Sequence, residues 1–536
     1  VASRDIQDRI AVEKAYGEGD RALRRSLLEA AAQHPEAAQV DLLRLAVFGF
    51  DIELGQMARQ ALARSESPSA YNLISETLRV PMEAKERDSL ISAMARLGES
   101  SPRARMLAVV HRGLAGQSDR VDVDAWLRSF DEDDWTVSGS EEEDLESRFV
   151  DQDRVLSSED PIRHLELAEA FLTAAFDQPD ADEKFVRSMF MDACQTALKA
   201  EKLGSYGWRL DAVIGLAANA IGDKDEAYTR ADAAVRNMPA GTRDPKAMAM
   251  LELFAEARRR DISKTVREQR EWEAWSKAFE GTGAWLTDVH AAYTVLSHHP
   301  YGTDAHVATH YDFLKILGAT GQAYRILDAG LARFPDSWIL HDRLRGRILR
   351  EKGVSGLETA YEVLLREKNA HPDLKLFAGY ASLVAAEFHR RMGHDPEALA
   401  AYNRGIAYYE TAIESSPDKR DTADHFIALA IAGRARIAFE QQDYATAVSE
   451  IESAFRRKPD AAATLDGLGI SPVDTAKMLR ARLAEANQDE LAARVDAALE
   501  SLDPVMLELP AYEREGPSPP SREGGARGRR GQRSER

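Results

Sequence analysis

The stretch GLAANAIGDKDEAYTRADAAVRNMP, residues 215–239, decides the fold that this sequence predicts. Small residues recur through it at intervals of three and four, which places them on one face of each of two helices. Gly222 and Asp223 interrupt the pattern in the middle, and Pro239 ends it. Because small side chains on facing turns allow two antiparallel helices to approach closely, we predict a helical hairpin here.

The same pattern returns along the chain. It is clearest in GRARIAFEQQDYATAVSEIESAFRRKP, residues 433–459, and weaker in residues 318–335 and 360–372. A first hairpin is predicted over residues 17–35 and a last one over residues 487–504. The prolines that end the later hairpins are 37, 45, 42 and 45 residues apart, at Pro335, Pro372, Pro417, Pro459 and Pro504. We therefore expect hairpins of unequal length, with long helices such as one over residues 395–415.

These segments resemble the tetratricopeptide repeat (TPR) family, whose motif of about 34 residues has small residues, a central turn and a final proline in this order. The match is good in the segments that end at Pro239 and Pro459. In those that end at Pro335 and Pro372 only the second helix matches well. The resemblance implies an all-α fold in which TPR-like hairpins stack as an irregular α-solenoid.

Composition divides the chain into four parts. We predict an N-terminal helical repeat region over residues 1–130, an acidic linker over 131–160, a TPR-like solenoid over 161–505 and a disordered tail over 506–536. The linker has two runs of carboxylates and too few apolar residues to bury. The tail is rich in Gly, Pro and Arg. Its arginines would support only weak, salt-sensitive contact with nucleic acid or an acidic partner.

The chain as a whole is acidic. Its 90 Asp and Glu against 70 Lys and Arg give a formal net charge of −20 over 536 residues. This argues against a dedicated nucleic-acid-binding protein, because phosphate neutralisation needs concentrated Lys and Arg. The only cysteine, Cys194, excludes an intramolecular disulfide and a multi-cysteine metal site. It lies in an apolar helical context, where an inert buried thiol is expected.

TPR-like arrays generally bind peptides or protein surfaces in a concave groove lined by the first helix of each hairpin. The resemblance therefore implies a non-enzymatic scaffold or adaptor with a protein or peptide partner and no cofactor. Carrying the family's register over gives these groove positions: Arg209, Leu216, Asn219, Asp312, Lys315, Leu429, Arg436, Phe439 and Glu440. No hairpin supplies the Lys and Asn pair with which the family's chaperone adaptors hold a C-terminal carboxylate. The common nucleotide, hydrolase and metalloprotease motifs are not found either.

A second hypothesis, from a different functional class, rests on histidines. Residues 290–310 hold five of the 13 histidines, at positions 290, 298, 299, 306 and 310. His306 and His310 face the same way on a helix that Thr303 or Asp304 would cap. Together with His299 they would supply imidazole ligands to a metal ion, giving a metal-binding or metal-dependent activity. The structural alternative is that His310, in the repeat register, packs inside its hairpin.

The N-terminus leaves further alternatives open. Val1 indicates either a bacterial GTG start translated literally or a leader or upstream domain that has been removed. No apolar run approaches the ~18 residues of a spanning helix, and no signal-peptide pattern is present. We expect a cytoplasmic protein, with an exported or periplasmic chain as the alternative. A third functional hypothesis is that the chain is the regulatory region of a longer enzyme.

Two further helical stretches carry side chains of the kind that bind ligands. One is an aromatic segment of Trp272, Trp275, Phe279 and Trp285, with helical spacing through Phe279. Such a stripe is typical of a packed core or a groove edge, and a ligand platform is the alternative. The second stretch is basic and is interpreted as a solvated helix face that pairs with local Glu residues. It consists of Arg258, Arg259, Arg260, Lys264, Arg267 and Arg270.

Overall fold

In the computed structural model, the described part of the chain consists of α-helices, short 3₁₀ turns and loops, without strands. This confirms the all-α prediction. The described residues are 6–35, 40–67, 69–80, 82–130, 152–177, 182–368, 370–465 and 469–508. Most of the predicted acidic linker, residues 131–151, and the predicted tail from residue 509 onward lie outside the described residues.

The chain divides into two compact units, Val1–Gly330 and Leu331–Arg536, which we call the first and the second unit. The described helices that begin in the first unit are α1 (Ile6–Glu18), α2 (Arg21–Ala32), α3 (Val40–Val47), α4 (Ile52–Arg64), α5 (Ala70–Thr77), α6 (Ala84–Leu97), α7 (Pro102–Ala115), α8 (Val123–Phe130), α9 (Gln152–Leu156), α10 (Pro161–Phe176), α11 (Glu183–Lys202), α12 (Trp208–Ile221), α13 (Lys224–Asn237), α14 (Pro245–Arg267), α15 (Trp272–Glu280), α16 (Gly283–His298), α17 (Asp304–Ile316) and α18 (Thr320–Arg333).

The described helices of the second unit are fewer and longer. They are α19 (Trp338–Leu365), α20 (Leu374–Arg391), α21 (Asp395–Ser415), α22 (Arg420–Glu440), α23 (Tyr444–Arg457), α24 (Pro472–Glu485), α25 (Asp489–Glu500) and α26 (Pro504–Glu508). Short 3₁₀ turns at Pro417–Lys419 and Pro459–Ala463 follow α21 and α23.

One type of turn joins the helices of several predicted hairpins. After α12, Gly222 adopts a φ of +95°, and the N–H of Asp223 donates to the carbonyl of Ala218 at 2.9 Å. This Schellman arrangement satisfies carbonyls that the helix end would otherwise leave without partners. Asp223 then caps α13 by accepting from the N–H of Glu226. The predicted turn at Gly222 and Asp223 is confirmed.

The same turn recurs in both units. At five further positions, a residue of positive φ is followed by a residue whose N–H donates to the carbonyl five residues before it. These positive-φ residues are Gly204, Gly318, Gly393, Gln442 and Asn487. Gln442 and Asn487 have a Cβ and still adopt the left-handed conformation. For residues other than glycine this conformation has an energetic cost. The hairpins are therefore repeats in backbone geometry even where the glycine is replaced.

The first unit joins helices from both sides of residues 131–151. α7 crosses α16 so closely that the hydroxyl of Thr287 donates to the backbone carbonyl of Gly113 at 2.9 Å. Beyond the crossing, the hydroxyl of Ser118 donates to the carboxylate of Asp288 at 2.7 Å. The predicted domain boundaries stay predictions, but these contacts place helices from before and after the predicted linker in one packed unit.

α19 folds back on itself within the second unit. Gly353 has a φ of +68° and interrupts the helix. His341 Nδ1 lies 3.1 Å from the hydroxyl oxygen of Tyr361, whereas 20 residues of continuous helix would span about 30 Å. The two halves of α19 therefore form a hairpin of their own.

The long helices of the second unit approach each other where a glycine faces a tyrosine. A Cβ added at Gly379 of α20 would lie 2.9 Å from the ring of Tyr409, and one added at Gly433 of α22 would lie 2.3 Å from the ring of Tyr402. Both tyrosines belong to α21 and are fully buried. α21 also has the bounds predicted for a long helix over residues 395–415. Small residues thus set the spacing of α20, α21 and α22.

Candidate functional site

In the second unit a groove of about 310 Å³ lies between α20 and α22. Helix α20 supplies the longer wall with side chains spaced three and four residues apart, α22 supplies the other wall, and the segment after the second 3₁₀ turn closes one edge. The lining residues are Tyr380, Leu383, Val384, Glu387, Phe388, Arg391, Phe426, Leu429, Thr464 and Leu465. Sites for small ligands have volumes of about 300–1,000 Å³, so this groove is small and holds roughly one or two large side chains.

An aromatic cluster backs the groove. The ring of Phe426 is stacked with those of Trp338 and Tyr409, each with a centroid distance of 5.6 Å, and it meets Tyr380 edge-on at 5.2 Å. Trp338 and Tyr380 are also in edge contact, at 5.5 Å. Each such pair adds about 0.5–1.5 kcal/mol beyond the area that it buries. The apolar wall is therefore held in place by the core behind it.

A buried cation lies behind the same aromatic rings. The guanidinium carbon of Arg345 is 4.5 Å from the ring centroid of Tyr380 and 5.9 Å from that of Trp338. Arg345 Nη2 contacts Asp342 at 3.3 Å. Within the described structure, Arg345 Nη1 and the hydroxyl of Tyr409 are buried without a hydrogen-bond partner. The contact with the ring faces offsets part of the cost of burying the charge.

The ionisable groups of the groove leave it positively charged at one end. The carboxylate of Glu387 accepts from the hydroxyl of Tyr402 and from Arg390 Nη2, the latter at 2.6 Å. Burial and the nearby Glu387 charge raise the pKa of the Tyr402 phenol, so it remains a donor. Arg391 is exposed, and none of the ion pairs within the described ranges involves it. The charge of Glu387 is thus compensated, whereas that of Arg391 faces solvent.

The predicted groove residues of the second unit lie along α22. Leu429 lines the groove between α20 and α22. Arg436 is buried, with Nε 3.6 Å from a carboxylate oxygen of Glu440. Phe439 is half-buried against Tyr444, with a ring-centroid distance of 6.5 Å. Glu440 is exposed. Only Leu429 of this set touches the groove itself.

The predicted groove residues of the first unit have local roles. Arg209 forms a two-point ion pair with Glu169, at 3.0 and 2.5 Å. Leu216 is buried in α12, and the side-chain oxygen of Asn219 is buried without a hydrogen-bond partner among the described residues.

Two more predicted positions of the first unit lie on α17. Asp312 and Lys315 are half-buried. Lys315 Nζ is 3.4 Å from the hydroxyl of Thr320 and 5.1 Å from the ring centroid of Tyr324. These positions remain predictions as partner contacts.

The three histidines proposed as metal ligands have separate surroundings. His310 is buried and meets His290, Nε2 to Nδ1, at 3.0 Å. His306 accepts from the N–H of Thr303 at 3.0 Å, in the predicted cap of α17. His299 is buried with its ring 5.1 Å from that of Phe130. In the described ranges no three His, Cys, Asp or Glu side chains converge as a metal site would require.

The sequence pattern did not identify the groove wall of α20. Tyr380, Val384 and Phe388 follow each other at intervals of four, so they form one stripe of the helix, and Phe388 is 48% exposed. That stripe is visible in KLFAGYASLVAAEFHRR, residues 375–391. The family register does not identify this stripe, because that register applies only to hairpins that match the family motif. The hairpin of α20 and α21 does not match the motif.

Comparison with known proteins gives no family. No protein-family model matches the chain, and no curated protein matches it. Among solved structures, the chain is similar to one chain of the structure of Naa15/Naa10 bound to HypK-THB, at 15% sequence identity. The alignment covers 94% of this chain and 74% of that chain, with a TM-score of 0.25. A TM-score this low carries no argument about the function of the present chain.

None of the helices in the described ranges has both the length and the apolar character needed to cross a membrane.

Proposed function

We propose that this chain is an adaptor without catalytic activity of its own, and that it binds a segment of another protein in the groove between α20 and α22. The segment presents one or two large apolar side chains next to an acidic residue. The observation that carries the proposal is an apolar groove of about 310 Å³ that ends at Arg391, an exposed arginine with no ion-pair partner among the described residues.

The apolar part of the proposal rests on exposed surface. Phe388 is 48% exposed at the groove, and Trp338, which belongs to the aromatic cluster behind it, is 37% exposed. Covering apolar area stabilises a complex by about 25 cal/mol per Å². Because Phe426 and Tyr380 are held by ring contacts on their other sides, the wall does not need to be ordered when a partner binds. A preformed wall lowers the entropic cost of binding.

The acidic part rests on charge. Glu387 is held by Tyr402 and Arg390, so it repels an incoming carboxylate less than an isolated glutamate would. Arg391 at the rim can donate two parallel hydrogen bonds to a carboxylate. An apolar residue in the groove with Asp or Glu beside it therefore satisfies both features.

Selection from a library of displayed random peptides on the full chain tests this function. We expect enriched sequences to share a large apolar residue adjacent to Asp or Glu. Phe388→Glu should weaken binding of a selected peptide at least about tenfold, since a tenfold change corresponds to about 1.4 kcal/mol. Arg391→Glu should shift the preferred neighbour from an acidic to a basic residue. Binding is measured by fluorescence anisotropy.

The matched control is Val363→Glu, which places the same charge on an apolar side chain of the second unit that is 54% exposed and not part of the groove. It should leave the affinity unchanged. The proposal is wrong if no common sequence is enriched, or if Phe388→Glu and Val363→Glu bind the peptide equally well.

A further inference from the structure

The first unit carries a second cleft of different chemistry. It runs along the C-terminal half of α14 beside Tyr228 of α13, has a volume of about 870 Å³ and is open to solvent along its length. It is lined by Tyr228, Glu256, Arg259, Arg260, Ser263, Lys264, Arg267 and Glu268. Residues separated by three and four share one face of a helix, so four cationic side chains of α14 point along a single cleft.

The nearby carboxylates are largely occupied. Glu256 accepts from the hydroxyl of Tyr228 at 2.7 Å and from Lys224 Nζ at 3.4 Å. Burial and the hydrogen bond to Glu256 raise the pKa of Tyr228 to about 12, so the phenol stays protonated. Arg260 pairs with Asp225 at 2.7 Å, and its guanidinium carbon lies 4.4 Å from the ring centroid of Tyr228. The charges at this end of the cleft therefore cancel, and its side chains are held by contacts with one another.

Among the described residues, the remaining cations of the cleft have no carboxylate as an ion-pair partner. Arg259 donates to the neutral hydroxyl of Tyr293 at 3.1 Å. Lys264 and Arg267 are exposed, and neither takes part in an ion pair within the ranges that the structure describes. Arg258 and Arg260 do form ion pairs, but their partners are Asp232, Asp288 and Asp225 of other helices and not the local Glu residues that we expected.

We propose that this cleft binds the phosphoryl group of a phosphorylated serine or threonine in a protein partner, independently of the groove in the second unit. Arginine forks and a lysine ammonium are the usual ligands of a phosphoryl dianion. The hydroxyl of Ser263 lies among them as a further donor. The ring of Tyr228 offers apolar surface to the residues next to the phosphoryl group.

The shape and the surrounding charge select this ligand. A small phosphate ester would need burial of most of its surface, whereas an open cleft suits a peptide that continues beyond both ends. A nucleic acid would bring several phosphates along the cleft, and the exposed Glu268, which also lines it, would repel those placed beside it. One phosphoryl group held between Arg259, Lys264 and Arg267 meets three cations against that single carboxylate.

The test uses the full chain and a degenerate peptide mixture with one fixed phosphoserine, compared with the same mixture carrying serine. Fluorescence anisotropy should show at least about tenfold tighter binding of the phosphorylated mixture, with affinity that falls as salt is raised. The double variant Lys264→Glu and Arg267→Glu should abolish the difference, and Lys264→Ala with Arg267→Ala should reduce it.

The matched control is Lys184→Glu with Lys202→Glu, which makes the same charge change at two exposed lysines of α11 outside the cleft. It should keep the preference for phosphoserine. Equal binding of the two mixtures, or a preference that survives both cleft variants, would overturn the proposal. So would tighter binding of a single-stranded oligonucleotide than of the phosphorylated mixture, because the cleft would then be a nucleic-acid site.

Discussion

Lowering the pH from about 7.5 to about 5 is expected to reduce the free energy of unfolding of the first unit by several kcal/mol. The cause is three histidines that the fold keeps neutral. Burial, reinforced by neighbouring arginine charges, lowers the pKa of His111 and of His290 to about 4. Complete burial also holds the pKa of His310 well below its ordinary value, with the nearby His290 and His298 acting in the same direction.

The direction of the effect follows from proton binding in the two states. Above a pH of about 6.5 these imidazoles are neutral whether the chain is folded or unfolded, so they add no pH dependence. Below it, the unfolded chain takes up protons that the folded chain does not. Stability therefore falls until the pH approaches the folded-state pKa near 4. At pH 5 the loss is about 2 kcal/mol for each of His111 and His290, from 1.36 kcal/mol per unit.

Hydrogen exchange of α7 and α16 in the full chain measures this loss, after correction for the pH dependence of chemical exchange. His290→Asn removes one of the groups, so its pH-dependent loss should be smaller by about 2 kcal/mol even though the variant is less stable at both pH values. His34→Asn changes an exposed imidazole elsewhere in the first unit and should leave the loss unchanged. The same loss in all three proteins would mean that other groups cause the acid sensitivity.

Replacing Gly433 with valine is expected to destabilise the second unit by about 1–3 kcal/mol, toward the upper end of that range. A Cβ at this position would lie 2.3 Å from the ring of Tyr402, well inside van der Waals contact. The ring cannot withdraw, because Tyr402 is fully buried and its hydroxyl donates to Glu387. The variant therefore forces α21 and α22 apart. Hydrogen exchange of α22 in the full chain measures the effect.

Two companion variants separate this overlap from the general cost of replacing a glycine. Gly346→Ala, in the same unit, adds a Cβ that meets nothing within 4 Å, and it should stabilise α19 by up to about 1 kcal/mol. Tyr402→Leu makes room at the site of overlap, so it should cost less in the Gly433→Val background than in the natural chain. Strictly additive effects of the two substitutions would show that the ring and the new side chain do not compete for space.

Local signals explain what could be predicted from the chain. The turn after α12 was predicted because Gly222, Asp223 and the helix cap at Asp223 are adjacent in sequence. The bounds of α21 could be predicted because Pro396 lies in its first turn and Pro417 lies just beyond its end. The equivalent turn before α23 uses Gln442, a residue with no intrinsic preference for positive φ. There the small residues of 433–459 and the helix cap at Asp443 indicate the hairpin, whereas the residue at the turn itself does not.

Side-chain environment was harder to predict. Arg436 and Leu216 occupy groove positions in the family register, yet both are buried. The basic stretch was interpreted as a solvated face, but pairing divides it: Arg258 and Arg260 have carboxylate partners, whereas Lys264 and Arg267 have none in the described ranges. Those partners lie on α13 and α16 and are distant in sequence, so no local sequence pattern predicts the ion pairs.

By itself, the sequence determined that the described chain is helical, where its hairpins turn and how its small residues allow helices to approach. Capping, left-handed turns and helical periodicity all act within about five residues, so they can be read locally. The tertiary structure alone decided that no described helix covers the Tyr380 stripe of α20, and that Arg391, Lys264 and Arg267 have no ion-pair partner in the part of the chain that the structure describes. The exposure and the charge pairing of a side chain depend on which helices, distant in sequence, pack against its own helix. The order of residues within one helix does not specify those neighbouring helices.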